Sequence, residues 1–138
     1  MSMTIAQLEQ DRITNHPNAV RVLAYLAPNR MDWIVSCPFC GLHHQHGAAD
    51  GDPGSAGLRS PHCPPGALRT QDYYLIPDGS IAAATLDKFR KMDRRRLRTL
   101  NREIEQRRST EAIQRRLRRE QAFAEAASVV ARERISGA

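Results

Sequence analysis

The apolar positions of the chain follow three different patterns, one in each of residues 1–30, 31–79 and 80–138. In the first part, Thr4 and Gln7 fit a capping box, which predicts a short helix. A second short helix is expected to begin near Pro17 and to run through Leu26, because its apolar residues cover one broad helical face. The N-terminal segment is therefore predicted to hold two short helices that pack on the middle part.

Glycine and proline concentrate in the middle part, where seven of the eight glycines and six of the eight prolines lie between residues 37 and 79. Such a high frequency of glycine and proline is typical of a region of short strands and loops. Residues 31–35 predict a short strand, residues 73–76 a second apolar stretch, and residues 58–60 a strand that returns beside the one leaving Cys40. The middle part is therefore expected to be a small β module.

The last part contains neither glycine nor proline from Ser80 to Ser136, which predicts a long helical region. Ser80 is the expected N-cap, with the helix starting at Ile81. The apolar face changes sides near Ser109, so two helices are predicted, at about 81–108 and 110–135. One continuous helix with different partners on each half is the alternative. The predicted fold class is α+β: a small β module flanked by short N-terminal helices and a long basic helical region.

Charge separates the chain into two halves. The net charge is +6, yet residues 1–80 sum to −2 and residues 81–138 to +8. Residues 88–119 contain fourteen basic and four acidic side chains, and such an excess of positive charge is typical of a surface that binds a polyanion. The predicted partner is nucleic acid, with DNA favoured over RNA. The predicted contacts are Arg94, Arg95, Arg96, Arg98, Arg115, Arg116, Arg118 and Arg119. The alternative is a protein partner that docks on the C-terminal helices.

Two classes of protein are not expected from this sequence. No stretch approaches the roughly 18 apolar residues of a membrane span, and the N-terminus lacks the basic and apolar regions of a signal peptide, so a cytoplasmic protein without membrane contact is predicted. None of the common hydrolase, P-loop or metalloprotease motifs is present. The chain is therefore predicted not to be an enzyme.

Cysteine and histidine supply the candidate chemistry. Cys37 and Cys40 form a C-x-x-C followed by Gly41, the spacing of a zinc knuckle, and Cys63 is the only other cysteine. Four of the five histidines lie nearby, at positions 43, 44, 46 and 62. We expect one Zn²⁺ bound by the three cysteines and one histidine. His44 is the predicted fourth ligand, His46 and His62 are the alternates, and His43 is disfavoured.

The order of these residues resembles a family. A CPxCG…HxHG…HC pattern is formed by Cys37, Cys40, Gly41, His44, His46, Gly47, His62 and Cys63. It is similar to the pattern of small, mostly uncharacterised zinc-ribbon proteins of actinobacteria and their phages, over residues 33–76. The resemblance implies a bacterial or phage protein with a zinc-ribbon fold. Because zinc ribbons commonly act in transcription and nucleic-acid binding, it also implies a role in modulating transcription.

Overall fold

A computed structural model of the chain describes residues 3–68 and 71–136. The chain is α+β and divides into two compact units, residues 1–100 and 101–138. The elements are α1 (Ile5–Asn15), β1 (Val20–Leu26), β2 (Asp32–Ser36), β3 (His43–Gly47), β4 (Gly57–Arg59), β5 (Tyr73–Ser80) and α2 (Ala83–Ser136), with short 3₁₀ turns at Ala49–Gly51 and Pro53–Ser55. No helix in the described residues combines the length and the apolar character of a membrane span.

The five strands form one sheet in the order β3-β2-β1-β5-β4. β1 and β5 are parallel neighbours at the centre, with Val20 opposite Tyr73, and the other pairs are antiparallel. Residues 73–76 of β5 are buried on both faces, as expected for a central strand. On one face, Leu8 of α1 packs with Tyr74 and Ile76. The apolar sequence of β5 therefore forms the middle of the core.

The first predicted helix is confirmed, and its capping box is formed. Thr4 Oγ1 accepts a hydrogen bond from the Gln7 backbone N–H at 3.2 Å, while Gln7 Oε1 accepts one from the Thr4 backbone N–H at 2.7 Å. These two bonds satisfy N–H groups that have no partner within the first turn. The helix ends at Asn15, in front of Pro17.

The second predicted N-terminal helix is wrong, because residues 20–26 form β1. Val22, Ala24 and Leu26 are buried, and the residues between them are more exposed, so the burial has the period of two that a strand requires. A short apolar run fits either period, and the β-branched Val20 and Val22 favour a strand. Parallel pairing with β5, in which Val20 lies opposite Tyr73 53 positions later in the sequence, makes this segment a strand and not a helix.

The predicted partner of the returning strand is also wrong. β4 pairs with β5 rather than with the strand that leaves the knuckle, and that strand, β3, pairs with β2 along its full length. Its register places Val35 opposite His44. The segment after β4 nevertheless carries Cys63 back to the knuckle, as expected.

The C-terminal region is one helix, α2, so the prediction of two helices is wrong. It begins at Ala83 rather than Ile81, because Ser80 is the last residue of β5. The change of apolar face near Ser109 does not require a break. Leu100, in the first unit, is buried, whereas Ile113 and Leu117, in the second, are about half exposed and impose no turn.

Candidate metal centre

The segment Cys37–Gly41 is a tight turn that connects β2 to β3. The Gly41 backbone N–H donates to the Cys37 carbonyl at 3.1 Å, and the Cys37 N–H donates to the Leu42 carbonyl at 2.8 Å. Gly41 has a φ of +78°, which glycine adopts without the steric penalty of a side chain. The Phe39 N–H points at Cys37 Sγ, 3.4 Å away. These bonds reverse the chain and bring both thiols to one side of the turn.

The four predicted ligand residues converge at this turn. His44 lies on β3, and Cys63 lies on the segment after β4. All four ligand atoms lie within 4.8 Å of one another. Cys37 Sγ is 3.7 Å from Cys63 Sγ, and His44 Nε2 is 3.2 Å from Cys40 Sγ and 3.8 Å from Cys63 Sγ. The residues are buried, except that Cys63 is half-buried. The group can hold a metal ion.

Burial shifts the pKa values of Cys40, Cys63 and His44. It raises the pKa of the Cys40 thiol, and it raises the pKa of the Cys63 thiol to about 12. Burial likewise lowers the pKa of His44, which favours the neutral imidazole that metals bind. Three sulfur atoms this close together would repel one another as thiolates. A cation between them would remove that repulsion and stabilise the thiolate forms.

The alternate histidines lie outside the cluster in the described part of the chain. His46 Nε2 is 2.5 Å from the Tyr73 hydroxyl, and burial lowers the pKa of His46 to about 4. His62 is exposed, and its ring centroid lies 4.6 Å from that of His46. Of the three candidates for the fourth ligand position, the structure therefore brings His44 to the sulfur atoms.

Arg96 and Asp93 of α2 form hydrogen bonds with the turn and with β3. Arg96 Nε donates to the Cys40 carbonyl at 3.0 Å. Asp93 Oδ1 accepts from the backbone N–H of His43 at 3.1 Å and lies 2.7 Å from His43 Nδ1. Sequence reasoning did not find the role of Asp93 and assigned Arg96 to nucleic acid. No local signal distinguishes either residue from its charged neighbours on the helix.

The predicted phosphate contacts belong to two units. In the first unit, Arg94, Arg95 and Arg98 are exposed, whereas Arg96 is half-buried by its contact with Cys40. In the second unit, the predicted contacts are all exposed; they are Arg115, Arg116, Arg118 and Arg119. Arg116 Nε lies 3.8 Å from Glu120 Oε1, a solvent-exposed pair of the kind that contributes little. Their binding of nucleic acid remains a prediction.

Comparison of the chain with models of known families, with curated proteins and with solved structures finds no match. The interpretation of the cluster therefore rests on its residues and their geometry.

Proposed function

We propose that the Cys37–Cys40–His44–Cys63 cluster binds one structural Zn²⁺. A tetrahedral zinc site has Zn–S bonds of about 2.3 Å and Zn–N bonds of about 2.0–2.1 Å, which place neighbouring sulfurs about 3.8 Å apart and sulfur and nitrogen about 3.5 Å apart. The observed separations of 3.7 Å for Cys37–Cys63 and of 3.2 Å and 3.8 Å from His44 Nε2 are close to these values. The match between donor set and spacing is the single observation that carries the proposal.

Four protein ligands would fill the coordination sphere, whereas a catalytic zinc keeps a position open for water. This closed set supports a structural role and the proposal that the chain is not an enzyme. Elemental analysis of protein purified without added chelator should give one zinc per chain. A preparation that is folded and contains no zinc, and that takes up none on addition of Zn²⁺, would contradict this part of the proposal.

For the basic helix, we propose nucleic-acid binding, with DNA favoured over RNA. The supporting observation is the density of exposed guanidinium groups on the second unit, where the four arginines between residues 115 and 119 surround only Leu117. Arg116 Nε lies 3.8 Å from Glu120 Oε1, and an exposed ion pair of this kind contributes little. Guanidinium groups suit phosphate oxygens because they offer paired N–H donors.

Salt dependence tests this proposal. If about five phosphates are contacted on duplex DNA, the slope of log K against log salt should be about −4.5. Changing all four arginines of residues 115–119 to Ala should reduce the magnitude of that slope by up to about 3.6, whereas Lys replacements should preserve most of it, because a point charge still releases counterions. Arg30→Ala removes a guanidinium from an exposed turn of the sheet, and as a control it should leave the slope unchanged. Absence of binding to DNA and to single- or double-stranded RNA at low salt would contradict the proposal.

A second candidate function is an adaptor that docks a protein on α2. One observation favours it: the second unit exposes large apolar side chains, and Phe123 is 79% exposed, with Ile113 and Leu117 about half exposed. Binding to such a face should be insensitive to salt. It should be lost when Phe123 and Leu117 are changed to Ser and kept when the arginines are changed, which is the opposite of the pattern expected for nucleic acid.

The wider setting follows from the same proposal. Phosphate contacts position a protein on nucleic acid without reading its sequence, so we expect weak sequence preference from the arginines alone. Together with the resemblance to small zinc-ribbon proteins of bacteria and phages, this leads us to propose a cytoplasmic protein that modulates transcription. This proposal is tested by crosslinking the protein to DNA in cells of the native host and sequencing the DNA recovered with it.

A further inference from the structure

Helix α2 forms hydrogen bonds with the backbone of Cys40, a candidate ligand, and of His43, which directly precedes the candidate ligand His44. Arg96 Nε donates to the carbonyl of Cys40, at 3.0 Å, across 56 positions of sequence. The stem of the Arg96 side chain lies directly over Gly41, where an added Cβ would approach Arg96 Nε to 2.9 Å. The absence of a side chain at position 41 therefore serves two purposes: it permits the positive φ, and it leaves room for Arg96.

The second contact is made at β3, which is an edge strand and leaves some backbone N–H groups without a partner in the sheet. Asp93 Oδ1 accepts the His43 backbone N–H at 3.1 Å and lies 2.7 Å from the Nδ1 of the same residue. The His43 ring also stacks on Phe89 of α2, with 4.0 Å between centroids and 10° between planes. Residues of α2 thus contact the backbone N–H, the Nδ1 atom and the ring face of His43, immediately before His44.

We propose that Asp93 and Arg96, which we call the α2 clasp, are positioning residues of the metal centre. They hold the backbone of the knuckle and the start of β3 in the conformation that aims Cys40 and His44 at one point. The inference rests on the proposed binding of Zn²⁺ by these residues. It is independent of nucleic-acid binding.

The coupling must act in both directions. If the clasp organises the ligands for the metal, the bound metal must in turn stabilise the packing of α2 residues 83–100 on the sheet, because linkage between two equilibria is reciprocal. Partners that orient ligands from outside the coordination sphere typically contribute a factor of 10–100 to metal affinity. Metal occupancy therefore controls how firmly this part of the basic helix is held against the sheet.

The first experiment measures zinc affinity by competition with a chromophoric chelator. Asp93→Ala and Arg96→Met should each weaken binding about 10-fold or more. The controls are Asp87→Ala and Arg94→Met, which change an exposed residue of the same type on the same helix, and they should stay within about 2-fold of the unchanged protein. Asp93→Asn keeps an oxygen acceptor at the same place and should recover part of the affinity. Clasp variants that bind zinc as tightly as the controls would overturn the inference.

Hydrogen exchange on the unchanged protein gives a second test that does not depend on the folding of a variant. Because the coupling is reciprocal, removing zinc with a chelator should increase amide exchange at least about 10-fold in residues 85–100, together with residues 37–46. Residues 113–130 serve as the internal reference. Unchanged protection of residues 85–100, with increased exchange at the knuckle, would overturn the coupling while leaving zinc binding intact. A chain that binds no zinc would instead contradict the proposed function, and the clasp with it.

Discussion

Replacing Gly41 by Ala separates two contributions to the stability of the knuckle. The first is backbone strain, because Gly41 has a φ of +78° and a non-glycine residue in this region costs roughly 1–2 kcal/mol. The second is displacement of Arg96, because the new Cβ would lie 2.9 Å from Arg96 Nε and 3.5 Å from its Cδ. If Arg96 moves away and loses its bond to the Cys40 carbonyl, a further contribution of about 1 kcal/mol is lost.

We therefore expect Gly41→Ala to lower the free energy of unfolding by about 2–3 kcal/mol, measured by urea denaturation with zinc in excess. Gly79→Ala isolates the strain, since Gly79 has a φ of +91° and no atom within 4 Å of the added Cβ, and it should cost only about 1–2 kcal/mol. Gly47 has neither a positive φ nor a close neighbour, so Gly47→Ala is the control for the substitution itself and should be nearly neutral.

The decisive measurement is a double-mutant cycle. In an Arg96→Ala background, no guanidinium stands above position 41, and Gly41→Ala should cost no more than Gly79→Ala. The two substitutions should thus couple by about 1 kcal/mol, the contribution of one hydrogen bond. Equal costs for Gly41→Ala and Gly79→Ala, or a cost at position 41 that Arg96→Ala leaves unchanged, would refute the reasoning.

Two further predictions concern the ligands and the docked part of α2. Cys40→Ser should abolish stoichiometric zinc binding and lower the melting temperature of the sheet. The control is His62→Ser, which changes an exposed residue outside the cluster and should retain both zinc and stability. Elemental analysis and thermal denaturation check this prediction, and a Cys40→Ser protein that still binds zinc would contradict it. Leu100→Ala should lower the free energy of unfolding by about 2–4 kcal/mol in urea denaturation, because Leu100 is only 4% exposed. Leu97→Ala, at a residue that is 38% exposed, should lower it by less than about 1 kcal/mol. Similar decreases for the two variants would show that Leu100 is not buried in solution.

The four residues of the candidate metal site were predictable because their chemistry is carried by residue type and short spacing. A C-x-x-C followed by Gly41 specifies a knuckle locally, and a third cysteine in a chain without expected disulfides has few other uses. Distance along the strand favours His44 over His46, because a strand advances about 3.3 Å per residue and His44 is the nearer of the two to Cys40. The structure brings His44 to the sulfur atoms and leaves His46 beside the hydroxyl of Tyr73.

The wrong predictions concern residues whose secondary structure or role depends on contacts with residues distant in the sequence. Residues 20–26 have a pattern compatible with a helix, and only pairing with β5 makes them a strand. Asp93 and Arg96 resemble surface charges, since their partners at positions 43 and 40 lie 50 and 56 residues away in sequence. The sequence likewise allowed both two helices and one continuous helix across Ser109, because a changing apolar face signals a break only when both faces are packed.

The order of the strands has a consequence for how fast the protein folds. The central pair, β1 and β5, is separated by 46 residues of chain, and these residues contain all four ligands of the cluster. An ion that joins Cys37 to Cys63 shortens the path between the two strands to about 21 residues, which lowers the entropic cost of closing that loop by about 0.7 kcal/mol. Binding of the metal early in folding should therefore accelerate pairing of β1 with β5 about threefold. The metal would then help to nucleate folding of the sheet as well as stabilise the folded site.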